Sequence, residues 1–186
     1  MESCSAKRSW KKNYEKTITR KTRNKISKKI TEIIQTKEGV TNTFIWNVLK
    51  NLPNFIGVIP QDYLSNFKIV SFPVSFVINL DLSNQPGSHW IGILLSTTDI
   101  KIYDSLSLDP QMSPNKPSFL LNFLKKFKSS HTIYLTPHLQ PINSNTCGFY
   151  CIFFLYSSLF LSFNDTLSIF STNCFLNDKI LLDLLF

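Results

Sequence analysis

The longest apolar stretch of the chain, CGFYCIFFLYSSLFLSF at residues 147–163, restricts the available folds more than any other feature of the sequence. Its 17 residues include three serines and fall short of the roughly 20 apolar residues that a helix needs to cross a bilayer. A helix that is apolar on every side is instead typical of the centre of a globular core. We therefore expect no membrane association, and a helix over residues 147–163 that other elements cover on all sides.

The charged residues divide the chain into two parts. Residues 1–37 contain 12 Lys or Arg and three Glu, whereas the other 149 residues contain 8 basic and 9 acidic side chains. This distribution predicts a basic N-terminal arm over residues 1–39, partly helical or disordered, followed by a nearly neutral compact domain over residues 40–186. Apolar residues recur in the arm at helical spacing, at Trp10, Tyr14 and Ile18, so part of it is expected to be helical where it is docked.

The domain alternates between patterns typical of strands and patterns typical of helices. Strands are predicted at residues 72–82, 89–96, 100–104 and 132–135, and helices at residues 41–49, 118–128 and 176–186. A polar turn with Pro86 and Gly87 separates the first two strands. We therefore predict an α+β fold in which a mainly antiparallel sheet packs against the central buried helix.

The cysteines are too few and too widely spaced for a disulfide framework. Cys4, Cys147, Cys151 and Cys174 form no C-x-x-C pair, and the chain begins with no signal-peptide pattern. An intracellular, reducing location is the expectation.

Cys147 is the first residue of the predicted apolar helix and is followed at once by Gly148. Free N–H groups and the positive end of the helix dipole stabilise a thiolate at this position, and a glycine lets another group approach closely. These features favour Cys147 as a nucleophile. Cys151 and Cys174 lie within apolar sequence and are better explained as small core residues.

A nucleophilic cysteine needs a base, and His89 is the best placed of three histidines. It opens a predicted strand directly after the polar turn, whereas His131 and His138 lie in polar surroundings near a short strand. A hairpin centred between Ser96 and Thr97 would pair positions 89 and 104 directly, with Cβ atoms about 5 Å apart. Asp104 could then orient the His89 imidazole.

Gln140 lies seven residues before Cys147, in the polar segment QPINSNTC. A side-chain amide near the nucleophile can donate a hydrogen bond to a developing oxyanion, together with the Cys147 backbone N–H. A glutamine in a loop is uninformative when it is considered alone.

Taken together, His89-Trp90, Tyr103-Asp104 and Gln140-x-x-Asn143-Ser144-x-x-Cys147-Gly148 resemble the cysteine proteases of the adenovirus-protease and ubiquitin-like-protease group. The spacing from Gln140 to Cys147 is closer to the adenovirus-type (adenain-like) branch, which includes the proteases of Maverick/Polinton elements and related small DNA viruses. The resemblance covers roughly residues 52–165. It implies a papain-like fold with a circularly rearranged triad in the order His-Asp-Cys.

The resemblance implies a role for each of these residues. Cys147 would be the nucleophile, His89 the general base and Asp104 the residue that orients His89, while Gln140 and the Cys147 N–H would form the oxyanion hole. The implied function is a cysteine endopeptidase that cleaves virion precursor proteins at Gly-containing sites during virion maturation, as a monomer, in the host nucleus and the virion. The chemistry requires no metal or other cofactor.

Relatives of the adenovirus type use DNA and a short peptide as activators. The adenovirus enzyme bonds its peptide through a Cys upstream of the Gln, but the corresponding stretch here, Ser129-Ser130-His131, contains no Cys. A disulfide-linked activator is therefore not expected, whereas a strand-adding peptide or DNA stays open. The basic arm is expected to bind nucleic acid without sequence specificity, or else to serve as a nuclear-import signal. The residues assigned to nucleic-acid binding are Lys7, Arg8, Lys11, Lys12, Arg20, Lys21, Arg23, Lys25, Lys28 and Lys29.

Three alternatives remain from the sequence. One is a protease that removes ubiquitin-like modifiers, although so short a domain leaves little surface for a folded partner. Another is a basic-armed, DNA-associated structural protein with an inactive protease-like core. The third places zinc between Cys147, Cys151 and two histidines, which would leave Asp104 and Gln140 without a role.

Overall fold

A computed structural model describes residues 2–17, 20–21, 24, 26–28, 31–32, 39–107, 119–127 and 129–185 of the chain. Its strands are β1 (Phe55–Pro60), β2 (Val74–Asn79), β3 (Trp90–Leu95), β4 (Asp99–Tyr103) and β5 (Thr132–Leu135). Its helices are α1 (Glu2–Thr17), α2 (Asn42–Leu49), α3 (Phe119–Lys125), α4 (Cys147–Ser157), α5 (Phe163–Leu167) and α6 (Cys174–Leu185), with a 3₁₀ helix at Gln61–Ser65. The fold is a mixed α+β architecture.

The five strands form one sheet in the order β1-β2-β3-β4-β5. The two central pairings, β2 with β3 and β3 with β4, are antiparallel, but both edge strands pair in parallel. The prediction of a mainly antiparallel sheet therefore holds for the two central pairings, which include the predicted hairpin, and is wrong for the two edge strands. Longer connections, through the 3₁₀ helix before β2 and through α3 before β5, return the chain to the same end of the sheet and make parallel pairing the outcome.

The register of the β3–β4 hairpin also differs from the prediction, by two residues. Gly92 pairs with Tyr103 and Leu95 with Ile100, so the hairpin is centred between Thr97 and Thr98. The Ser96 hydroxyl accepts the backbone N–H groups of Thr98 (3.1 Å) and Asp99 (2.9 Å), which places the turn one residue later than expected. Because side chains alternate with a period of two, this shift leaves positions 89 and 104 on the same face.

The apolar stretch forms the centre of the core, as predicted. All 11 residues of α4 are buried, and the helix packs mainly against β3. It ends at Ser157 and not at residue 163, because the hydroxyls of Ser157 and Ser158 bond back to Phe153 and Leu155 carbonyls. Among the described residues, no helix is long and apolar enough to span a membrane.

The core contains side chains from the predicted arm, residues 1–39, as well as from the predicted domain, residues 40–186. Trp10 and Tyr14 of α1 are fully buried, and the Trp10 ring lies 4.8 Å from that of Phe153 in α4. The Trp10 indole N–H donates to the buried Ser157 hydroxyl, and Tyr14 meets Tyr156 edge-on at 5.5 Å. The helical spacing of apolar residues in the arm thus corresponds to a helix docked on this chain's own core. The boundary between arm and domain at residue 40 stays a prediction that rests on the distribution of charge.

Candidate active site

His89 and Asp104 lie at the ends of the two hairpin strands and form a buried hydrogen bond. His89 Nε2 is 2.7 Å from Asp104 Oδ1, and both residues are at most 6% exposed. The same carboxylate oxygen accepts the Leu106 N–H (3.0 Å), and the Asp104 N–H donates to the Thr136 hydroxyl (2.9 Å). Asp104 is therefore anchored on several sides and can hold the imidazole in one orientation.

The His89 environment favours the imidazolium form. Burial by itself lowers the pKa of His89. The hydrogen bond that His89 donates to Asp104, the hydrogen bond with Cys147 and the charges of these two residues outweigh burial and raise the pKa to about 9. This raised pKa stabilises the folded chain most fully below the ordinary value of about 6.5. The contribution is lost as the pH rises through about 9.

Cys147 begins α4 directly beside His89. Since Asp104 occupies Nε2 of the imidazole, Nδ1 is the ring nitrogen that can exchange a proton with the Cys147 sulfur. The backbone N–H of Cys147 is at the first position of α4, where the helix itself offers no acceptor for it. Cys151 is one turn further along and fully buried, and burial raises the pKa of its thiol, in agreement with its interpretation as a core residue.

Gly148 permits the close approach that places this helix start. A Cβ there would come within 2.1 Å of Val40 Cγ2 and 3.2 Å of Trp90 Cδ1. The Trp90 indole N–H donates to the Val40 carbonyl (3.0 Å), which fixes that segment over the helix. The glycine is thus explained by packing of the chain's own side chains.

Gln140 is also buried at this site, and its side chain has one orientation. The Ser105 hydroxyl donates to Oε1 (2.7 Å), and Nε2 donates to the Ser144 carbonyl, which leaves the second N–H of the amide free to donate elsewhere. Ser105 was not predicted from the sequence as a residue of the site. Its position directly after Asp104 was the only available signal.

The segment before His89 is held by Asn79, a second residue that was not predicted to belong to the site. Buried Asn79 accepts the N–H groups of Asp81 (2.8 Å) and Ser88 (3.3 Å) through its side-chain oxygen. Gly87 has φ +97 and lies so close to Asn79 that a Cβ would be 2.4 Å from Nδ2. Asn79 pairs with Trp90 across β2 and β3, and it therefore connects the sheet to the residue next to His89.

A groove of about 780 Å³ opens onto these residues. His89, Gln140 and Cys147 line it, whereas Asp104 lies behind His89. Its walls come from residues 39–42, residues 58–60 and the loop at residues 82–88. Among the described residues that line it, none is Asp, Glu, Lys or Arg. The arrangement can place an extended, uncharged segment of peptide across a thiol, an imidazole and two amide donors.

Those residues assigned to nucleic-acid binding that the structure describes are not part of the groove lining. Arg8, Lys11 and Lys12 are exposed on α1 and Lys7 is half-buried. Arg20, Lys21 and Lys28 are exposed further along the chain, while Arg23, Lys25 and Lys29 lie outside the described residues. In the described part of the chain, no three His, Cys, Asp or Glu side chains form a group that could hold a metal ion.

No protein-family model matches the chain, and no curated protein matches it. Among solved structures, the chain is similar to the ASFV pS273R protease, with 20% sequence identity and a TM-score of 0.41. The match covers 60% of this chain and 42% of that protease, so the chain spans less than half of its length. The functional assignment therefore rests on the residues described above.

Proposed function

We propose that this chain is a cysteine endopeptidase with Cys147 as nucleophile, His89 as general acid and base, and Asp104 as the residue that orients His89. The observation that supports it most strongly is the buried 2.7 Å contact between His89 and Asp104 beside a cysteine at a helix N-terminus. A purely structural role would not require a buried histidine and a buried amide to line one groove with a cysteine, nor a buried carboxylate behind the histidine.

In the first half of the reaction, the Cys147 thiolate attacks the carbonyl carbon of the scissile peptide bond. The oxygen becomes negatively charged and accepts hydrogen bonds from the Cys147 N–H and from Gln140 Nε2. The imidazolium of His89 then transfers its Nδ1 proton to the leaving amine as the C–N bond breaks, and an acyl thioester remains on Cys147.

In the second half, His89 acts as the base. It removes one proton from a water molecule that attacks the thioester, and the C–S bond breaks to regenerate the Cys147 thiolate beside the imidazolium. The product leaves as a carboxylic acid and loses its remaining proton to solvent. The hydrogen bond from His89 Nε2 to Asp104 keeps Nδ1 directed to the sulfur in both halves.

The proposal extends to the substrates and setting that the family resemblance implies. These are virion precursor proteins cleaved at Gly-containing sites by a monomer in the host nucleus and virion, with a peptide or DNA as activator. The uncharged walls of the groove support substrates whose residues beside the scissile bond are themselves uncharged. The described residues of these walls offer no carboxylate, ammonium or guanidinium group as a partner for a charged side chain.

The pH dependence of the reaction tests this assignment. Because His89 must be protonated to release the amine and its pKa is raised to about 9, cleavage should fall as the pH rises through about 9. Alkylation of Cys147 by iodoacetamide needs no proton donor and should not fall over the same range. In Asp104→Asn the alkaline limb of the cleavage profile should move to lower pH, since a hydrogen bond and a charge that raise the His89 pKa are lost.

Labelling at pH 6.5 provides the control, with Cys147→Ser identifying the labelled site by mass spectrometry. Cys147 should react faster than Cys4, because its sulfur lies within hydrogen-bond reach of the His89 imidazole, which can take up the thiol proton. Equal labelling rates for the two cysteines would contradict the proposed mechanism.

We further propose that the exposed face of α1 binds nucleic acid without sequence specificity. Trp10 and Tyr14 bury the opposite side of the helix, which leaves a row of cations in solvent. The exposed cations in this row are Arg8, Lys11, Lys12 and Lys16. Cations in such a row can neutralise phosphates and release counterions.

Salt titration of duplex-DNA binding measures this effect. If about six arm side chains contact phosphates, log K against log salt should have a slope near −5. Replacing Arg8, Lys11, Lys12 and Lys16 by Gln keeps the buried side of α1 and should reduce the slope by roughly 3 to 4. Lys125→Gln with Lys126→Gln is the matched control in the domain, and an equal effect of both sets would contradict binding by α1.

A further inference from the structure

Three hydroxyl groups converge on Asp178, a carboxylate in α6. Thr146 Oγ1 donates to Oδ1 (2.9 Å), Ser144 Oγ donates to Oδ2, and the Tyr150 hydroxyl lies 3.1 Å from Oδ1. A carboxylate has about four acceptor sites, so it can accept all three hydrogen bonds. Asp178 therefore joins the C-terminal helix to the segment immediately before Cys147.

The hydrogen bond between Thr146 and Asp178 affects the first oxyanion donor, the Cys147 N–H. Thr146 is the N-cap residue of α4, but its side chain does not cap that helix and bonds Asp178 instead. The backbone of Thr146 leads directly into the Cys147 N–H. Holding the Thr146 side chain therefore restrains the direction in which this N–H points.

The hydrogen bond between Ser144 and Asp178 affects the second oxyanion donor, the Gln140 amide. The Ser144 hydroxyl bonds Asp178, while the Ser144 carbonyl accepts one N–H of the Gln140 amide. Next to Asp178, Asn177 donates to the carbonyl of Leu139, the residue before Gln140 (3.0 Å). The start of α6 thus holds both ends of the loop that carries Gln140.

We propose that Asp178 is a positioning residue that sets the Gln140 amide and the Cys147 N–H relative to one another, so that both can bond one oxyanion. This inference rests on the proposed peptidase function. Asp178 lies outside the groove lining and acts through Ser144 and Thr146.

Two reactions of the same sulfur separate this role from a general loss of structure. Acylation of Cys147 by an ester forms an oxyanion, and its rate depends on the two donors. Alkylation by iodoacetamide is a displacement at a CH₂ group and forms no oxyanion, so it depends only on the thiolate and His89. If Asp178 positions the oxyanion donors, its replacement should slow acylation and leave the rate of alkylation unchanged.

The experiment measures both rates with full-length protein, using the p-nitrophenyl ester of N-benzyloxycarbonyl-glycine and iodoacetamide. Removing one oxyanion donor costs about 100- to 1,000-fold in kcat, and Asp178→Ala displaces donors without removing them, so about 10- to 100-fold slower acylation is expected. The alkylation rate should not fall. Asp183→Ala, an exposed carboxylate on the same helix, is the matched control and should leave both rates unchanged.

A second pair of variants tests the link through Thr146 independently of the folding of Asp178→Ala. Thr146→Val keeps the shape but removes the hydroxyl and should slow acylation, whereas Thr146→Ser keeps the hydroxyl and should retain most of the rate. The double variant Asp178→Ala/Thr146→Val should be little slower than Asp178→Ala alone, since both changes break the same contact.

Each outcome decides a different point. Equal losses of acylation and alkylation, or unchanged acylation in Asp178→Ala and Thr146→Val, would overturn the positioning role while leaving the peptidase assignment intact. A wild-type chain that forms no acyl-enzyme with the ester or with peptides would overturn the proposed function, and the inference with it.

Discussion

Replacing either Cys147 or His89 by Ala is expected to reduce peptide cleavage by at least about 10⁴-fold, which in most assays is complete loss. Cys147 makes and breaks the bond to the acyl group, and His89 transfers the proton that allows the amine to leave. Since the two groups act in one step, the double variant should be no worse than either single variant. Cleavage of a Gly-containing peptide, followed by mass spectrometry of the products, measures the effect.

Asp104→Asn should retain a weaker but measurable activity, because the carboxylate affects the orientation and charge of His89 without touching the reacting atoms. The matched controls are Cys174→Ala and His131→Ala, which change a cysteine and a histidine away from the groove lining and should cleave normally. Undiminished cleavage by His89→Ala would refute the assignment of the base.

Trp10→Ala is expected to lower the free energy of unfolding by about 3 to 5 kcal/mol, the usual cost of removing a large aromatic side chain from a core. Its ring is fully buried, stacks on Tyr14 at a centroid distance of 4.3 Å and packs on Phe153 at 4.8 Å. The change also leaves the buried Ser157 hydroxyl without its indole donor.

Trp46→Ala is the matched control, because the Trp46 side chain is 42% exposed and contacts Phe55 at the surface of α2. It should cost roughly 1 kcal/mol, in the range of ordinary substitutions outside the core. Urea unfolding followed by circular dichroism compares the two variants. If Trp10→Ala cost no more than Trp46→Ala, α1 would not be part of the core in solution.

The elements predicted from the sequence with the least error are those that depend on local patterns. The helix predicted at residues 41–49 is found at Asn42–Leu49, and the Thr41 hydroxyl caps it by accepting the Phe44 N–H (3.2 Å). The buried helix that begins at Cys147 follows from an apolar run with no polar face. The hairpin strands follow from β-branched runs on either side of a short polar turn.

The contact between His89 and Asp104 was predicted for a reason that was only partly right. The assumed register was wrong by two residues, but an even shift keeps both side chains on one face, and they lie next to each other diagonally and not directly opposite. The strand β1 and the parallel pairing of both edge strands were not predicted. Pairing direction depends on the path of a whole connection, which local periodicity does not encode.

By itself, the amino-acid sequence determined the buried helix, the residue that begins it, and the set of side chains able to carry thiol chemistry. Those properties follow from hydrophobic periodicity and from the reactivity of single residue types. The tertiary structure alone decided that Ser105 would hold Gln140, that Asp178 would bond Ser144 and Thr146, and that Trp10 would enter the core. Such contacts join residues 32 to 147 positions apart, and they form only when packing brings whole elements together.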